Sequence, residues 1–358
     1  MIKSIKLNGF RNYKNYNLDF DHGLNVIIGD NGVGKTNILE AIYTLIVTKS
    51  FKKIKDNNLI NKSSEYYRIE AIINDKKYIS FYDKNGKQIL INNLKQPKLS
   101  GYIKNNQVIF FGPDEFYIIK GTPKERRNYF NLMLSQYDNE YINTLIKYNK
   151  LVKIKSNYLK ETNIDESLIK VYNEQITKYA IYIIKMRVQF ISEINQIINN
   201  YWHRFYKEKS LKIKYSPKNY DLEGITENKL LKKYNEFILK EIKYRNTLIG
   251  PHLDDFFVYL DNEKVYEIAS EGQTKLIILA LKLSEITLFN EKFNKQPIIL
   301  FDDLFSELDN TNSNKLLNLL SNQLQIIITT PNINDIDEQL IKNAKVISIK
   351  GEEDDKER

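Results

Sequence analysis

The sequence contains no cysteine, which excludes a disulfide framework, a thiolate zinc cluster and thiol chemistry. It also lacks a long apolar run. Leu276–Leu281 and Ile298–Phe301 are the best stretches, far short of the roughly 20 residues a spanning helix needs. No internal repeat is visible. The opening residues Met1-Ile2-Lys3-Ser4-Ile5-Lys6 alternate polar and apolar and read as a strand, not a secretion signal. Only three histidines occur. His22 precedes Gly23 in a turn and His203 follows Trp202 on an expected helix, so both read as structural or surface groups. His252, between Pro251 and Asp254, reads first as a hydrogen-bonded turn residue, with a functional role as the alternative. A cytoplasmic protein with no membrane partner is the expectation.

What is present is a chain of 358 residues with an ordinary apolar share of 42%, enough for one large domain or two moderate ones. The net charge is +9. A basic balance points to an anionic partner, nucleic acid being the commonest. The same excess arises in a chain rich in Asn, Lys, Ile and Tyr, as AT-rich coding produces, so charge by itself does not decide. The segment Glu352-Glu353-Asp354-Asp355-Lys356-Glu357-Arg358 is acidic and is expected to be a solvated tail.

Hydrophobic patterning divides the chain. Val26-Ile27-Ile28 reads as a short buried strand, and Ile38, Ala41, Ile42 and Leu45 share one face of a helix. Between Tyr67 and Ile91, alternating runs punctuated by Asn74-Asp75 and Asn85-Gly86 predict an antiparallel meander. Val108–Phe111 is another buried strand. Pro123-Lys124-Glu125 marks a helix start. Tyr141, Leu145, Tyr148 and Val152, then Ile176, Ile183 and Phe190, follow a seven-residue rhythm. They predict two long amphipathic helices, broken near residues 162–165, each reaching roughly 45–60 Å and packed as an antiparallel arm. Lys209–Tyr215 reads as a strand and Lys229–Lys243 as a helix. Beyond Gly250-Pro251 an α/β pattern returns: strands at Phe256–Leu260, Pro297–Phe301, Ile326–Thr329 and Lys345–Ile349, and helices at Thr274–Leu288 and Leu316–Leu324. The expected division is a head from residues 1–115 and 251–350, an inserted helical arm at 116–250, and the tail at 351–358.

Three segments carry chemistry. Gly29-Asp30-Asn31-Gly32-Val33-Gly34-Lys35-Thr36 fits G-x-x-x-x-G-K-[ST] in full, between a buried strand and a helix, the context that confirms such a motif. Its glycines let backbone N–H groups wrap phosphates, and the helix start adds its positive dipole end. Lys35 is expected to reach the β- and γ-phosphates and Thr36 to ligate Mg²⁺, with ATP as the nucleotide. Ile298-Ile299-Leu300-Phe301-Asp302-Asp303 offers an acid at a buried strand end. Asp302 is the candidate for the Mg²⁺ shell and Asp303 for polarising the attacking water. Taken alone, that run is equally a strand-to-turn junction. Ser270-Glu271-Gly272-Gln273 opens a helix and reads as a plain cap or as an anion site. One chain already has its own phosphate loop, so a second phosphate-reading helix start fits better against another copy.

On these residues the sequence resembles the ABC-type ATPases of chromosome maintenance, and more narrowly the RecF family. Ser270-x-Gly272-Gln273 looks like the ABC signature, and Ser306-Glu307-Leu308-Asp309 like the D-loop. Gly250-Pro251-His252-x-Asp254-Asp255 and Lys120-Gly121-x-Pro123-x-x-Arg126-Arg127 resemble RecF blocks. Phe10-Arg11-Asn12-Tyr13 looks like the strand end that packs beside the nucleotide. The resemblance implies an α/β ABC-type ATPase head built from both chain ends. It implies two Mg·ATP held between two subunits, the P-loop and Asp302 of one facing Ser270 and Asp309 of the other, with Arg11, Asn12, Gly272 and Gln273 near the nucleotide. It implies a homodimer formed on ATP at gapped or junction DNA, RecR and RecO as partners, and slow, DNA-stimulated hydrolysis.

The sequence departs from the family at several points. Leu253 stands where Arg is usual, Asn131 where Asp is, and Ile154-Lys155-Ser156 replaces Gln-Arg-Asn. Thr330 occupies the place of the transporter-type switch His and cannot act as a base. No Q-loop glutamine follows Val108–Phe111; Asp114 is a possible substitute, and Gln107 lies on the wrong side of the strand. For DNA the basic candidates are Arg126, Arg127, Lys150 and Lys153, with Lys155, Lys207, Lys209, Lys212 and Lys214 behind them. Two other function classes are an ATPase energising a membrane transporter, which lacks a long helical insertion, and the ATPase part of a nuclease system.

Overall fold

The computed structural model describes residues 1–97, 102, 106–294, 296–303, 312, 316, 319–320, 324–336 and 338–350. The chain forms two compact units, one joining residues 1–115 to 289–358 and the other made of 116–288.

The first unit holds two sheets. β1 (Ile2–Phe10), β2 (Tyr13–Asp19), β4 (Tyr67–Ile73), β5 (Lys76–Asp83), β6 (Gly86–Ile91) and β7 (Leu94–Lys95) form an antiparallel sheet in the order β2-β1-β4-β5-β6-β7. Asn74 and Asp75 both take positive φ, 47° and 61°, as the tight turn joining β4 to β5 requires. The second sheet is wholly parallel. It sets β14 (Lys345–Ser348), β3 (Leu24–Ile28), β13 (Ile326–Thr330), β12 (Ile298–Asp302) and β8 (Val108–Phe111) in that order. β8, β12 and β13 are buried at every residue, which is why they read as unbroken apolar runs rather than alternations. Helix α1 (Lys35–Val47) packs against strands of both sheets. It is buried from Ile38 through Val47, so the single apolar face expected from spacing is only part of what it buries.

In the second unit, α2 (Pro123–Tyr137) opens with proline in its first turn and a capping box between Thr122 and Glu125. Asp138 then ends one helix and caps the next: its carboxylate accepts from Tyr141 N at 2.8 Å. That cap limits α3 (Asn139–Tyr158) to 20 residues, about 30 Å and shorter than expected. α4 (Glu166–Phe205) runs for 40 residues, about 60 Å, and packs on α3 across a short link. The helix expected at Lys229–Lys243 is two, α5 (Glu227–Glu236) and α6 (Ile238–Tyr244), divided at Phe237. β9 (Leu211–Ser216), β10 (Asp255–Leu260) and β11 (Glu263–Lys264) make a small antiparallel sheet. The open side of β9 is closed by α4: Asn195 and Asn199 each exchange a pair of bonds with the backbone of Ile213 and Leu211 at 2.7–3.0 Å. Those amides stand in for a neighbouring strand.

The last helix of note, α7 (Glu271–Phe293), extends beyond the expected Thr274–Leu288 at both ends. The strand pairing of β10 with β9 makes residues 251–288, expected with the head, compact with 116–250 instead. Most of the helix expected at Leu316–Leu324, and the tail from 351 onward, lie outside the described residues.

Candidate functional site

β3 ends one residue before Gly29. Ile349, just past β14, donates its N–H to Ile28 O at 2.8 Å. Its carbonyl oxygen lies 2.5 Å from where a Cβ on Gly29 would sit, so no side chain fits there. The loop then turns into α1 through Gly34, whose φ of 111° caps the helix. A Cβ on Gly34 would meet the Tyr13 hydroxyl at 2.6 Å. The turn between β1 and β2 therefore lies against the phosphate loop, and Asn12 Nδ2 reaches Gly32 O at 3.5 Å.

Lys35 Nζ folds back on its own loop, donating to Gly29 O at 2.6 Å and Asp30 O at 2.9 Å. Partial burial lowers its pKa, against the opposing pull of Asp303, Asp302 and Asp30. Because β3, β13 and β12 are parallel neighbours, their C-terminal ends share one edge. There Thr36 Oγ1 donates to Asp302 Oδ1 at 2.8 Å, across 266 residues of sequence. Thr329 Oγ1 donates to the same oxygen at 2.8 Å. Burial raises the Asp302 pKa, while the two threonine hydroxyls and the charge of Lys52 pull it down and Asp303 pushes it up. Asp303, at a φ of 49°, hangs from Thr329 as well: its N–H donates to Thr329 O at 3.1 Å. Thr329 thus holds both acids. It is the functional residue the sequence reading passed over, and the signal was a hydroxyl closing an otherwise aliphatic buried strand. Its neighbour Thr330 bonds locally, Oγ1 donating to Asn332 O at 2.9 Å.

These residues fit a nucleoside triphosphate with a divalent cation. The loop passes through two glycines that no larger residue could replace, Gly29 and Gly34, and an ammonium stands at the helix start. The two oxygens expected at the cation, from Thr36 and Asp302, are already neighbours. Among the described residues no cluster of three or more metal-binding acids or histidines occurs. A cation here would therefore take its other ligands from phosphate and water, as Mg²⁺ prefers, and would neutralise phosphate charge.

Arg11, expected beside the nucleotide, sits in the turn between β1 and β2 with its guanidinium bonded to α1 and to the Asn58 carbonyl. Nε and Nη2 grip Glu40 at 2.8 and 2.9 Å, and Nη1 donates to Asn58 O at 3.2 Å. Glu40 is fully buried on α1 and also accepts from Ser50. Arg11 braces the turn that carries Asn12 and Tyr13.

In the second unit, Ser270 and Gln273 bond reciprocally. Gln273 N donates to Ser270 Oγ, and Ser270 N to Gln273 Oε1, both at 3.2 Å. That is a capping box at the start of α7. Ser270, Glu271 and Gly272 are exposed, as are the nearby apolar side chains of Tyr266 and Ile268, each at 40%. Asp309 and the rest of the expected D-loop lie outside the described residues, as does the side chain of Asp114. Gln107 is buried and precedes β8, at the end of that strand away from Phe111.

Of the basic candidates, Arg126 is not a surface charge. It is 8% exposed, grips Asp255 at 2.8 and 2.6 Å, and donates to Gly121 O. Arg127 Nη1 donates to Asp254 O at 2.6 Å. Lys155 is fully buried, paired with Glu241 at 2.6 Å and bonded to Asn173. Arg126 and Lys155 hold the fold of the second unit, while Arg127 is only partly buried. Lys150, Lys153, Lys207, Lys212 and Lys214 are exposed, and Lys209 is half-buried.

His252 is a structural residue: Nδ1 meets Tyr148 Oη at 2.6 Å and Nε2 meets Thr247 Oγ1 at 3.0 Å. Burial, with the charges of Arg127, Lys155 and Arg187, lowers its pKa to about 3. Asn131 does with a neutral oxygen what the usual Asp would do charged, accepting from Tyr141 Oη at 2.6 Å and Arg187 Nη2 at 3.0 Å.

Comparison with known proteins covers nearly the whole chain. The family model "RecF/RecN/SMC N terminal domain" matches residues 1–356. The DNA replication and repair protein RecF of Exiguobacterium sp. is 34% identical over 362 residues, covering 98% of this chain and 97% of that one. RecF of Staphylococcus haemolyticus is 33% identical over 362 residues, covering 97% and 98%. A solved structure described as the recombination mediator protein RecF with ATP in the RecFOR pathway superposes with a TM-score of 0.88 at 30% identity. That match covers 94% of this chain and 93% of the other. A structure of the SmcHead bound to the C-winged helix domain of ScpA superposes at 0.55 with 16% identity, which speaks for the fold alone.

Proposed function

Because the chain belongs to the RecF family, with the ABC-type ATPase head fold of the RecF/RecN/SMC group, we propose that it is an ATP-operated DNA clamp of replication and recombinational repair. The observation that carries this reading is the 2.8 Å contact of Thr36 with Asp302 at the mouth of the phosphate loop. It supports the reading because Thr36 and Asp302 are the two side chains that would ligate Mg²⁺ beside the phosphates. ATP and Mg²⁺ bind at Gly29–Thr36 and Asp302, with Lys35 on the phosphates and Asp303 positioned for the attacking water. The exposed Ser270 and Gly272 and the half-buried Gln273 of one copy meet the nucleotide on the other, so ATP joins two copies on gapped or junction DNA. Arg127, Lys150 and Lys153 stand near that DNA as auxiliary charges rather than base readers. RecO and RecR are the partners. Hydrolysis is slow, since Thr330 offers no base, and DNA stimulates it. The working division is a head from both chain ends and an arm between them, in the cytoplasm.

The test is sizing by light scattering with ATP, ADP or no nucleotide, with and without gapped DNA. The reading expects a dimer with ATP alone among these, and DNA binding that needs ATP and weakens steeply with salt. DNA binding indifferent to both nucleotide and salt contradicts it.

A further inference from the structure

Side chains along β9 and β10 alternate strictly. Leu211, Ile213, Phe256, Val258 and Leu260 are buried and form one face of the small sheet. Lys212, Lys214, Phe257 and Tyr259 form the other, joined by Lys264 of β11. The register fixes this: Phe257 lies opposite Lys214, and Tyr259 lies opposite both Lys212 and Lys264. Tyr266 follows β11 and is 40% exposed. Lys212 and Lys214 are exposed, and Phe257 and Tyr259 are half-buried.

The rings are covered by ammonium groups, and those of Phe257 and Tyr266 also meet each other, their centres 6.1 Å apart. Lys214 Nζ lies 4.4 Å from the Tyr259 ring centre. Lys264 Nζ lies 4.9 Å from that of Phe257 and 5.6 Å from that of Tyr266. The Arg126 guanidinium lies 5.1 Å from Phe257, with its charge met by Asp255. Of the nearby acids, Asp255 is engaged by Arg126, and Glu267 touches Lys264 only at 4.0 Å. The three lysines leave this face net positive.

Such a surface suits one partner class. Protein interfaces shed lysine from their centres, whereas here lysines sit between the rings. A duplex presents phosphates but buries its base faces. A single strand presents both phosphates for ammonium groups and base faces for rings. Flat sheets with interleaved aromatic and basic side chains stack bases in this way. Phe257 and Tyr259 are two residues apart, about 7 Å along the strand, on a common face.

We propose that this outer face of the β9-β10-β11 sheet is a stacking platform for single-stranded DNA. Bases displace Lys214 and Lys264 from the rings of Tyr259, Phe257 and Tyr266, and the freed ammonium groups turn to phosphates. The assignment rests on the DNA-clamp reading and names the surface that recognises the unpaired strand of a gap.

The test uses the full chain with ATP and fluorescence anisotropy on a labelled oligothymidine and on a blunt duplex. The variants are Tyr259→Ala/Tyr266→Ala and, as the conservative pair, Tyr259→Phe/Tyr266→Phe. Base stacking on a ring implies a loss of at least about tenfold in single-strand affinity for the alanine pair. Duplex affinity should stay within about twofold, and the phenylalanine pair should match the parent. Equal loss on both DNAs, or no loss on either, overturns the platform while leaving the clamp standing. A parent protein that binds neither DNA overturns both. Should the alanine pair fail to fold, photocrosslinking of the parent to a 5-iodouracil oligonucleotide decides. Adducts on Phe257, Tyr259 or Tyr266 support the platform, and adducts only elsewhere overturn it.

Discussion

The Thr36 hydroxyl donates to Asp302 Oδ1 at 2.8 Å, and Thr329 donates to the same oxygen from the strand between them. A residue at the start of a helix and a residue at the end of a distant strand thus share one oxygen, because β13 lies between β3 and β12 in a parallel sheet. This arrangement separates the charge of Asp302 from its hydrogen bonds. An amide oxygen can accept both threonine bonds but cannot counter a divalent cation. Asp302→Asn should therefore keep its melting temperature and lose at least about tenfold in ATP affinity with Mg²⁺, since one pKa-sized interaction of 1.4 kcal/mol is already a factor of ten. In EDTA the variant and parent should bind ATP alike. Calorimetric titration with and without Mg²⁺ reads the difference, and equal losses in both buffers would refute the metal role.

Gly34 tests the shape of the loop. Its φ of 111° and the Tyr13 hydroxyl 2.6 Å from an added Cβ make Gly34→Ala strained twice over. A side chain in such a backbone region costs about 1–3 kcal/mol. The variant should be destabilised by about that amount in urea titration and should bind ATP at least tenfold more weakly. Unchanged stability together with unchanged affinity would show that the loop adopts another conformation.

Ser270 separates binding from assembly. Its side chain caps α7 through Gln273 and stands exposed. Ser270→Asn keeps a capping oxygen and Ser270→Arg does not, the loss of a cap costing about 1 kcal/mol. Ser270→Arg should bind ATP like the parent yet stay monomeric with ATP in light scattering. An ATP dimer that survives this change would place the interface elsewhere.

His252 sets an acid limit on stability. Its pKa falls from about 6.5 unfolded to about 3 folded, so between those values the unfolded chain binds the extra proton. Its contribution is complete above pH 6.5, declines by about 1.4 kcal/mol per pH unit below it, and levels off near pH 3. Urea midpoints at pH 7, 6 and 5 should drop more steeply in the parent than in His252→Gln. Parallel slopes would remove His252 as the cause.

Lys155 and Glu241 are both fully buried and paired at 2.6 Å. Lys155→Met strands the carboxylate and should cost about 3–5 kcal/mol, as breaking a buried pair does. Lys155→Met/Glu241→Gln should recover a good part of the loss. Denaturant titration of both variants checks this, and a single-site loss below about 1 kcal/mol would show that water reaches the pair.

The sequence was informative where chemistry and short-range pattern coincide. The phosphate loop is contiguous, its glycines answer to local backbone needs, and β3 and α1 flank it as their apolar runs indicate. Asp302 was legible because an acid directly after four aliphatic and aromatic residues implies a strand end. Long-range pairing was not legible. Arg126 and Lys155 read as candidates for DNA contact because nothing local announces Asp255 or Glu241, more than 80 residues away in each case. Arg11 likewise hid its bond to Glu40, which sits on the helix of the phosphate loop. Thr329 went unnoticed because a threonine in a buried strand is ordinary until its register beside Asp302 is known. The pairing of β10 with β9, which brings residues 251–288 into one compact unit with the inserted segment, was not legible for the same reason.

The central claim is that ATP at Gly29–Thr36 joins two copies of the chain on DNA. Light scattering of the parent and of Lys35→Met, each with Mg·ATP and gapped DNA, addresses it most directly. The account predicts an ATP-dependent dimer for the parent and a monomer for the variant. A parent that stays monomeric with ATP, or a variant that dimerises just as well, would contradict it.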